Sequence, residues 1–413
     1  MRLLYSIATC LLLPWALLHL LWRSRRQPEY LRHIGERLGF YQELDPNPLI
    51  WLHAVSVGET RAAEPLIQLL RAHYPGHRIL LTHATPTGRQ TGKDLFGDTL
   101  LQTYLPYDFP WAVHRFLRHF RPVVGILMET ELWPNLVQAC KKYRVPVYLI
   151  NARLSAKSAR GYRWLAPLTR ATLRGLAGIA AQTEDDARRF KALGAEKVSV
   201  TGNLKFDRLV PEDMLALGKQ LRAQFGRDRP VFLAASTREG EETLILDALA
   251  RHPVSGLLIV IVPRHPQRFE DVAKLISRRG LRYQCRSHNR VVEADCQVLL
   301  GDSMGELFAY FAACDLAFVG GSLLPLGGQN LLEACAVGTP VLIGPHTFNF
   351  AEITRQAETA GAALRIAGAE ALAEAVAALL ADRARRQAMA AAGKQFATAH
   401  RGATQRTLQI LKW

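Results

Sequence analysis

Short apolar runs that alternate with amphipathic stretches constrain the fold of this chain more than any other feature of its sequence. In the first half, helical spacing over residues 60–73 accompanies strand-like runs at 49–55, 78–83, 123–128, 145–150, 178–182 and 198–202. A second series has runs at 230–236, 257–262, 298–300, 316–319 and 341–343. Continuous apolar strands separated by helices are typical of a parallel sheet covered on both faces. The pattern predicts an α/β fold with two Rossmann-like domains, whose ligands bind in a cleft at the strand carboxyl ends.

The amino-terminal segment has a different character. Residues 3–22 contain no Lys, Arg, Asp or Glu, and twenty helical residues cover about 30 Å, the thickness of a bilayer core. Only Arg2 precedes the segment, whereas four arginines follow it: Arg23, Arg25, Arg26 and Arg32. This charge asymmetry predicts a single membrane anchor with the rest of the chain on the cytoplasmic face. Because Pro14 and His19 interrupt the segment, a kinked helix that lies in the interface is the alternative.

These patterns divide the chain into five parts. Residues 1–24 are the predicted anchor, 25–210 the first Rossmann-like domain, and 230–390 the second. Residues 211–229 are polar and lack strand character, which predicts a linker with a short helix. An Ala-rich stretch with high helix propensity leads into a predicted C-terminal helix at 391–413.

Charge and cysteine content narrow the function classes. A formal net charge of +16 calls for a negative partner, such as nucleic acid, an anionic membrane or a phosphorylated substrate. We find no sequence pattern of a helix-turn-helix, RRM or KH domain, so no nucleic-acid partner is predicted. The six cysteines include no C-x-x-C pair, which indicates reduced, buried thiols and neither a disulfide framework nor a zinc site.

Twelve short motifs lie in predicted loops, most of them at the ends of the strand-like runs. The first half contains GERLG (35–39), SVGET (56–60), TPTG (85–88), LPYD (105–108), METELWPN (128–135) and NARLS (151–155). The second half contains GNLKFD (202–207), VPRHP (262–266), GDSMGE (301–306), GGS (320–322), GQNLLE (328–333) and GPHTFN (344–349). In this order, behind an apolar segment, they resemble the 3-deoxy-D-manno-octulosonic acid (Kdo) transferases of lipopolysaccharide synthesis. The resemblance covers nearly the whole chain and implies the GT-B fold of glycosyltransferases.

The resemblance also implies a reaction. Such an enzyme transfers Kdo from CMP-Kdo, bound by the second domain, to a lipid A precursor (lipid IVA), bound by the first. The acceptor is a phosphorylated, acylated glucosamine disaccharide, so the enzyme works at the inner membrane. The transfer inverts the anomeric centre and needs no cofactor. Because no D-x-D motif occurs in the chain, we predict no metal.

An inverting transfer needs a group that takes the proton of the acceptor hydroxyl. We choose Glu36, which lies between two glycines only fourteen residues after the apolar segment, where an acyl-anchored acceptor would present its hydroxyl. The resemblance supports this choice of catalytic base. The alternative is a solvated glutamate paired with Arg37.

The predicted acceptor-binding residues follow strands of the first domain. Glu129 and Glu131 are alternate residues, so only one of them is expected to face the cleft. They hold the acceptor or orient Arg153 or Lys205; a structural ion pair is the alternative. Glu59 and the basic side chain of Arg61 complete this set.

The predicted donor-binding residues lie mostly in the second domain. Without a metal, the phosphate of CMP needs fixed positive charge and backbone N–H groups at a helix start. The resemblance assigns the ribose hydroxyls to Glu333, for which a capping box with Asn330 is the alternative. For Ser236 and Thr237, capping of the next helix is compatible with anion binding. The full set is Lys205, Ser236, Thr237, Arg264, His265, Gly321, Ser322, Asn330, Glu333, His346 and Asn349.

Three other functions compete with this one. A sugar-nucleotide 2-epimerase has the same two-domain fold but no need of a membrane segment. A membrane-bound protein that binds nucleic acid rests on the net charge alone. A dinucleotide-dependent oxidoreductase lacks support, because VSVGE, not G-x-G-x-x-G, follows the first strand.

Overall fold

The computed structural model describes residues 1–25, 27–42, 48–208 and 210–413. Arg26, one of the four arginines used to predict membrane topology, lies outside the described residues. The chain forms two compact units. Unit 1 comprises Met1–Arg208 and His400–Trp413, and unit 2 comprises residues 209–399.

Unit 1 is built on a parallel sheet of seven strands in the order β3-β2-β1-β4-β5-β6-β7. The strands are β1 Leu49–His53, β2 Arg78–His83, β3 Leu101–Tyr104, β4 Pro122–Met128, β5 Val147–Ala152, β6 Gly178–Ala181 and β7 Val198–Val200. The helices are α1 Arg2–Leu11, α2 Leu13–Ser24, α3 Ile34–Arg37, α4 Val57–His73, α5 Pro86–Phe96, α6 Pro110–Phe120, α7 Pro134–Lys142, α8 Ala156–Arg163, α9 Ala166–Arg174 and α10 Glu184–Ala192. A 3₁₀ turn, Leu204–Asp207, follows β7.

Two apolar layers cover the faces of this sheet. Trp51 of β1 is fully buried on one face and contacts Phe116 of α6, with ring centroids 5.0 Å apart. Gly125 of β4 makes room for the indole, because a Cβ atom there would lie 2.8 Å from the ring. The indole N–H donates to the hydroxyl of Thr82 at 2.8 Å, so the one polar atom of this side chain is satisfied inside the core.

Unit 2 repeats the architecture with a second parallel sheet, in the order β10-β11-β9-β8-β12-β13-β14. Its strands are β8 Val231–Thr237, β9 Leu258–Pro263, β10 Tyr283–Cys285, β11 Val298–Leu300, β12 Leu316–Val319, β13 Val341–Ile343 and β14 Ala363–Arg365. Its helices are α11 Glu212–Phe225, α12 Glu241–Arg251, α13 Phe269–Arg278, α14 Leu307–Ala313, α15 Leu332–Val337, α16 Ala351–Thr359, α17 Ala369–Ala381 and α18 Arg383–Ala399. The predicted α/β class with two Rossmann-like sheets is confirmed.

The segments at the domain boundaries are helical. Residues 211–229 contain α11, which buries Leu221 and Phe225 within unit 2. After α18 the chain returns to unit 1 as helix α19, Ala403–Ile410. Asp207 accepts hydrogen bonds from the backbone N–H groups of Gly402 and Thr404 at the start of α19. A carboxylate at a helix amino terminus satisfies free N–H groups and opposes the helix dipole, so it fixes the returning chain.

The amino-terminal segment consists of two short helices, α1 and α2, with a bend of 43° between them. In the described part of the chain, no single helix is long and apolar enough to span a membrane, and α1 and α2 meet that criterion only as a bent pair.

Candidate active site

The first strand of unit 1 marks the point where the strand order reverses. Strand β1 pairs with β2 on one side and with β4 on the other, and both pairings are parallel. In open α/β sheets, ligands bind outside the strand carboxyl ends at this reversal. Glu59 follows β1, and Glu129 and Glu131 follow β4, so three of the predicted acceptor residues lie at this point of the sheet.

Glu59 is a buried carboxyl group, with 8% of its surface exposed. Its Oε2 accepts from the backbone N–H of Val55 at 2.9 Å, and its Oε1 accepts from the hydroxyl of Ser56 at 2.9 Å. Ser56 is the N-cap of α4, and its hydroxyl accepts in return from the backbone N–H of Glu59, which satisfies one free donor at the start of the helix. Burial, reinforced by the negative charge of Glu129, raises the pKa of Glu59 to about 7. The group can therefore exchange a proton near neutral pH.

Glu129 has a left-handed backbone conformation, with φ of 57°. Such a conformation costs a residue other than glycine about 1–3 kcal/mol, and it is retained only where the surrounding structure fixes it. The Glu129 carboxylate pairs with the ammonium group of Lys205 at 3.2 Å. This ion pair fits both predicted roles of the carboxylate after β4, the orientation of Lys205 and a purely structural pairing. Lys205 lies in unit 1, within the residues 25–210 that the sequence predicts as the first domain, and its predicted contact with the donor stays a prediction.

The remaining predicted acceptor residues of unit 1 are Glu131, Arg61 and Arg153. Glu131 accepts from the indole N–H of Trp133 at 2.7 Å, and burial raises the pKa of its carboxyl group. The side chains of Arg61 on α4 and Arg153 after β5 are exposed. They can reach a negatively charged ligand without a change in the core.

Glu36, the predicted base, lies elsewhere in unit 1, beside the carboxyl end of the edge strand β3. Its carboxylate forms a two-point ion pair with Arg89 of α5, with Nη1–Oε2 at 2.7 Å and Nη2–Oε1 at 3.3 Å. Oε2 also accepts from the backbone N–H of Tyr104 at 2.8 Å, and His33 Nδ1 lies 3.3 Å from Oε1. Glu36 therefore links α3, α5 and β3, so a structural role is as consistent with this geometry as a catalytic one.

The alternative that Glu36 is solvated and paired with Arg37 is wrong. Arg37 is buried, and its Nη2 donates to the carbonyl of Ala84 at 3.1 Å. Its guanidinium group lies over the ring of Tyr104, 3.9 Å from the ring centroid. The partner of Glu36 is Arg89, a residue that the sequence motifs did not single out.

Unit 2 has a corresponding reversal of strand order at β8, which pairs with β9 and β12. Strand β8 runs through Thr237, and the next helix, α12, begins at Glu241 with Gly240 as N-cap and no side-chain cap. The expectation that Ser236 or Thr237 caps this helix is therefore wrong. Thr237 is fully buried, whereas Ser236 has φ of 54°, a conformation that again marks the end of the central strand.

Positive charge gathers at the ends of β8 and β9. The pKa of His265 is lowered by partial burial and by the nearby guanidinium groups of Arg264, Arg238 and Arg268. Arg268 is held in a two-point ion pair with buried Glu242, at 2.6 and 2.9 Å. Arg264 is half-buried, and the backbone N–H of Arg264 donates to the carbonyl of Thr237 at 3.0 Å. This cluster can offset the charge of a phosphate group.

Glu241 organises the loop that contains the GGS motif. Its carboxylate is fully buried and accepts four backbone N–H groups: Arg238 (2.9 Å), Gly321 (2.6 Å), Ser322 (3.0 Å) and Leu323 (3.0 Å). The N–H groups of Gly321 and Ser322, which we expected to face the donor, therefore point at a glutamate. Ser322 has no exposed surface, and its hydroxyl links the carbonyl of Val319 to the N–H of Gly344. The structure gives Ser322 a framework role.

The GQNLLE and GPHTFN loops pack against each other. The N–H of Asn349 donates to the carbonyl of Gly327 at 3.0 Å, and a Cβ atom on Gly327 would lie 2.2 Å from the Asn349 amide. His346 lies in the GPHTFN loop and is half-buried. Its backbone N–H donates to the carbonyl of Ser322. Close approach of the two loops therefore requires glycine at position 327.

The start of helix α15 differs from the expected capping box. The N-cap is Leu331, and Asn330 Oδ1 accepts from the backbone N–H of Leu332 at 3.1 Å. Asn330 thus closes the turn before the helix. Glu333 is half-buried in the first turn of α15, on the same loop system as Asn330.

The sequence analysis missed Glu241 and assigned no individual role to Arg89 or Arg238. Glu241 directly follows the STREG segment (236–240) at the end of β8, which contains Arg238, so proximity to a strand end was an available signal. Arg89 follows TPTG directly, but nothing local indicates its partner. Within the described ranges, no group of three or more His, Cys, Asp or Glu side chains is arranged to hold a metal ion.

Comparison with known proteins assigns a family. Residues 32–208 match the family model described as 3-deoxy-D-manno-octulosonic-acid transferase (kdotransferase), and residues 278–396 match glycosyl transferases group 1. A 3-deoxy-D-manno-octulosonic acid transferase of Bordetella pertussis is 45% identical over 95% of this chain and 94% of its own length. The Haemophilus influenzae transferase is 41% identical over 94% of this chain and 93% of its own length.

One solved structure shares the fold of this chain at low sequence identity. The UDP-GlcNAc 2-epimerase from Neisseria meningitidis bound to UDP-GlcNAc has a TM-score of 0.57 and covers 88% of this chain and 99% of that one, at 16% identity. The two-unit α/β architecture is thus GT-B-like, and an epimerase can share it. Sequence identity separates the two functions: this chain belongs to the Kdo transferase family and is a glycosyltransferase.

Proposed function

We propose that the protein transfers Kdo from CMP-Kdo to a hydroxyl group of a lipid A precursor, lipid IVA, in lipopolysaccharide biosynthesis. The transfer inverts the anomeric centre and uses no metal. Family membership supports the donor sugar and the reaction class. The observation that carries the mechanism is the position of Glu59, a carboxyl group buried at the strand reversal of unit 1 with only two hydrogen-bond donors; this burial raises its pKa to about 7.

Glu59 is the base in this proposal. A general base is most effective when its pKa lies near the working pH. The Glu59 carboxylate takes the proton of the acceptor hydroxyl while the hydroxyl oxygen bonds to the anomeric carbon of Kdo. The bond between that carbon and the CMP phosphate oxygen breaks, and CMP leaves with the electron pair. Glu36, the choice made from the sequence, is the alternative. Its carboxylate is paired with the guanidinium group of Arg89, whereas the carboxyl group of Glu59 accepts only from the uncharged donors of Val55 and Ser56.

Fixed cations take the part that a metal plays in other transferases. Arg264 and Arg238, at the ends of β9 and β8, offset the negative charge on the departing phosphate, and His265 lies within the same cluster. Glu333, Asn330, His346 and Asn349 lie in the two packed loops of unit 2 and contact the ribose or the sugar. In unit 1, Arg61, Arg153 and Glu129 hold the phosphorylated acceptor, and Lys205, which pairs with Glu129, contacts the donor.

We further propose that the enzyme works at the inner membrane, with both units on the cytoplasmic face. The acyl chains of the acceptor require a membrane surface. The exposed apolar side chains of α1 and α2 and the arginines after them support this location.

The experiment that tests the proposal is a product assay with CMP-Kdo and lipid IVA in the presence of a chelator. We expect a lipid product that is heavier by one or more Kdo residues, with the anomeric configuration opposite to that in CMP-Kdo. Glu59→Gln should lower kcat by at least 100-fold, whereas Glu36→Gln should keep kcat within tenfold. The opposite ranking would restore Glu36 as the base. A changed sugar nucleotide without a lipid product would favour the epimerase alternative.

A further inference from the structure

The amino-terminal helix pair is attached to unit 1 at both of its ends. Near the start of α1, the hydroxyl of Tyr5 donates to Asp108 at 3.0 Å, and the hydroxyl of Ser6 donates to the side-chain oxygen of Asn135 at 2.8 Å. Asp108 is buried, and it also accepts the backbone N–H groups of Asn135 and Leu136 at the start of α7. The first turns of α1 therefore contact a rigid part of the unit.

The chain is fixed again after α2. The guanidinium group of Arg23 lies over the ring of buried Tyr30, 4.5 Å from the ring centroid. Further on, Glu36 pairs with Arg89, and the carbonyl of Arg37 accepts from the N–H of Tyr107 at 2.9 Å. The segment that contains α1 and α2 thus leaves and rejoins the same unit.

We infer that this segment does not cross the bilayer and that α1 and α2 lie in one leaflet, with the amino terminus on the same side as unit 1. A segment with both ends on one unit can cross a membrane only an even number of times. With ten and twelve residues, α1 and α2 rise about 15 and 18 Å, so neither covers the 30 Å core needed for one crossing. The inference rests on the proposed membrane location. It decides between the two arrangements that the sequence left open, a spanning anchor and a kinked helix in the interface.

The surface of the helix pair fits a lipid leaflet. Eight of its large apolar side chains are more than half exposed: Leu3, Leu4, Leu11, Leu12, Trp15, Leu18, Leu21 and Trp22. So many exposed apolar side chains in two short helices favour burial in a lipid leaflet. Exposed Arg2, Arg23 and Arg25 flank these side chains, and a groove of about 380 Å³ beside α1 is lined by Arg2, His114 and Lys142. Positive charge around an apolar face favours a leaflet with anionic headgroups.

Two peptide tags on the full chain test the topology. Because α19 belongs to unit 1, a carboxyl-terminal tag reports the side on which unit 1 lies. We expect protease to remove the amino- and carboxyl-terminal tags in the same preparation, either inside-out vesicles or spheroplasts. Removal of the two tags in opposite preparations would overturn the inference, because it would show a spanning segment. Recovery of the untreated protein in the soluble fraction would also overturn it.

A cysteine pair tests the attachment itself. In a Cys10→Ala background, we expect Ser6→Cys with Asn135→Cys to form a disulfide in oxidised membranes. The matched control is Leu4→Cys with Asn135→Cys, which should stay open because Leu4 is 64% exposed on α1. Equal closure of both pairs, or of neither, would refute the docked position of α1. The Kdo transfer assay in detergent is independent of sidedness, so failure of the proposed function is seen separately.

Discussion

Replacement of Glu59 by glutamine should stabilise unit 1 at alkaline pH while it lowers kcat by at least 100-fold. The glutamine side chain has the same shape, with a carbonyl that accepts from the N–H of Val55 and an amide that donates to the hydroxyl of Ser56, so both contacts of the carboxyl group persist. The difference is that glutamine cannot lose a proton. The variant therefore isolates the cost of a buried negative charge at this position.

The magnitude follows from the pKa of Glu59, which burial raises from 4.5 to about 7. The folded state keeps the proton until about pH 7, whereas the unfolded chain releases it above pH 4.5. Between these values the unfolded state binds fewer protons, so stability falls as pH rises. At about 1.4 kcal/mol per pKa unit, the wild-type protein loses about 3 kcal/mol by pH 8. The glutamine variant avoids this loss and should be more stable by about that amount at pH 8, with no difference at pH 4.5.

Denaturant unfolding followed by tryptophan fluorescence measures this effect in the right unit, because all seven tryptophans lie in unit 1. The control is Ser155→Ala, which removes the N-cap of α8 in the same unit and should cost about 1 kcal/mol at both pH values. In the same pH range, wild-type kcat should rise as Glu59 loses its proton with a midpoint near pH 7. A stability difference between the wild type and the glutamine variant that does not change between pH 5 and pH 8 would refute the reasoning.

Three further predictions concern the other charged groups. Glu241→Gln should destabilise unit 2 by about 3–5 kcal/mol, because the amide nitrogen would face two of the four N–H donors. The control is Glu239→Gln at an exposed position, which should change stability by less than 0.5 kcal/mol. Hydrogen exchange in unit 2 measures both changes. Arg264→Ala should raise KM for CMP-Kdo about tenfold or more, since a charged hydrogen bond contributes about 1.5–3 kcal/mol, and initial rates with varied donor check it. Arg89→Met should destabilise unit 1 by about 1–3 kcal/mol in the fluorescence assay, because it leaves the Glu36 carboxylate without its cation.

The sequence predicted the central strands of both sheets but only one of their four edge strands, β7. Of the fourteen strands in the described part of the chain, eleven coincide with apolar runs, and the three that do not are the edge strands β3, β10 and β14. An edge strand pairs on one side only and is less covered by helices, so its residues need not form a continuous apolar run. In β10, all three residues are only half-buried.

The residues of the candidate site could also be predicted only in part. Motifs at strand ends identified Glu59, Glu129, Lys205 and Arg264 because the topology brings strand carboxyl ends to one edge of each sheet. The groups that pair with these side chains could not be predicted from the motifs. Arg89 is 53 residues from Glu36, and the loop N–H groups that bind Glu241 are 80 to 82 residues from it. Such contacts depend on the packing of distant segments, and a single sequence gives no measure of that.

Glu59 and Glu241 show how one position in a repeated architecture can serve two purposes. Each is a buried glutamate in the first turn of the helix that follows the first strand of its unit. Glu241 accepts four N–H groups, so its negative charge is matched by fixed dipoles and holds the GGS loop in place. Glu59 accepts only one N–H group and one hydroxyl, and it lies near Glu129 and Glu131, so its charged form is disfavoured. The same change to glutamine should therefore have opposite signs in the two units: stabilising at residue 59 above pH 7 and destabilising at residue 241. Equal signs would mean that the number of hydrogen-bond donors does not separate the titrating carboxyl group from the structural one.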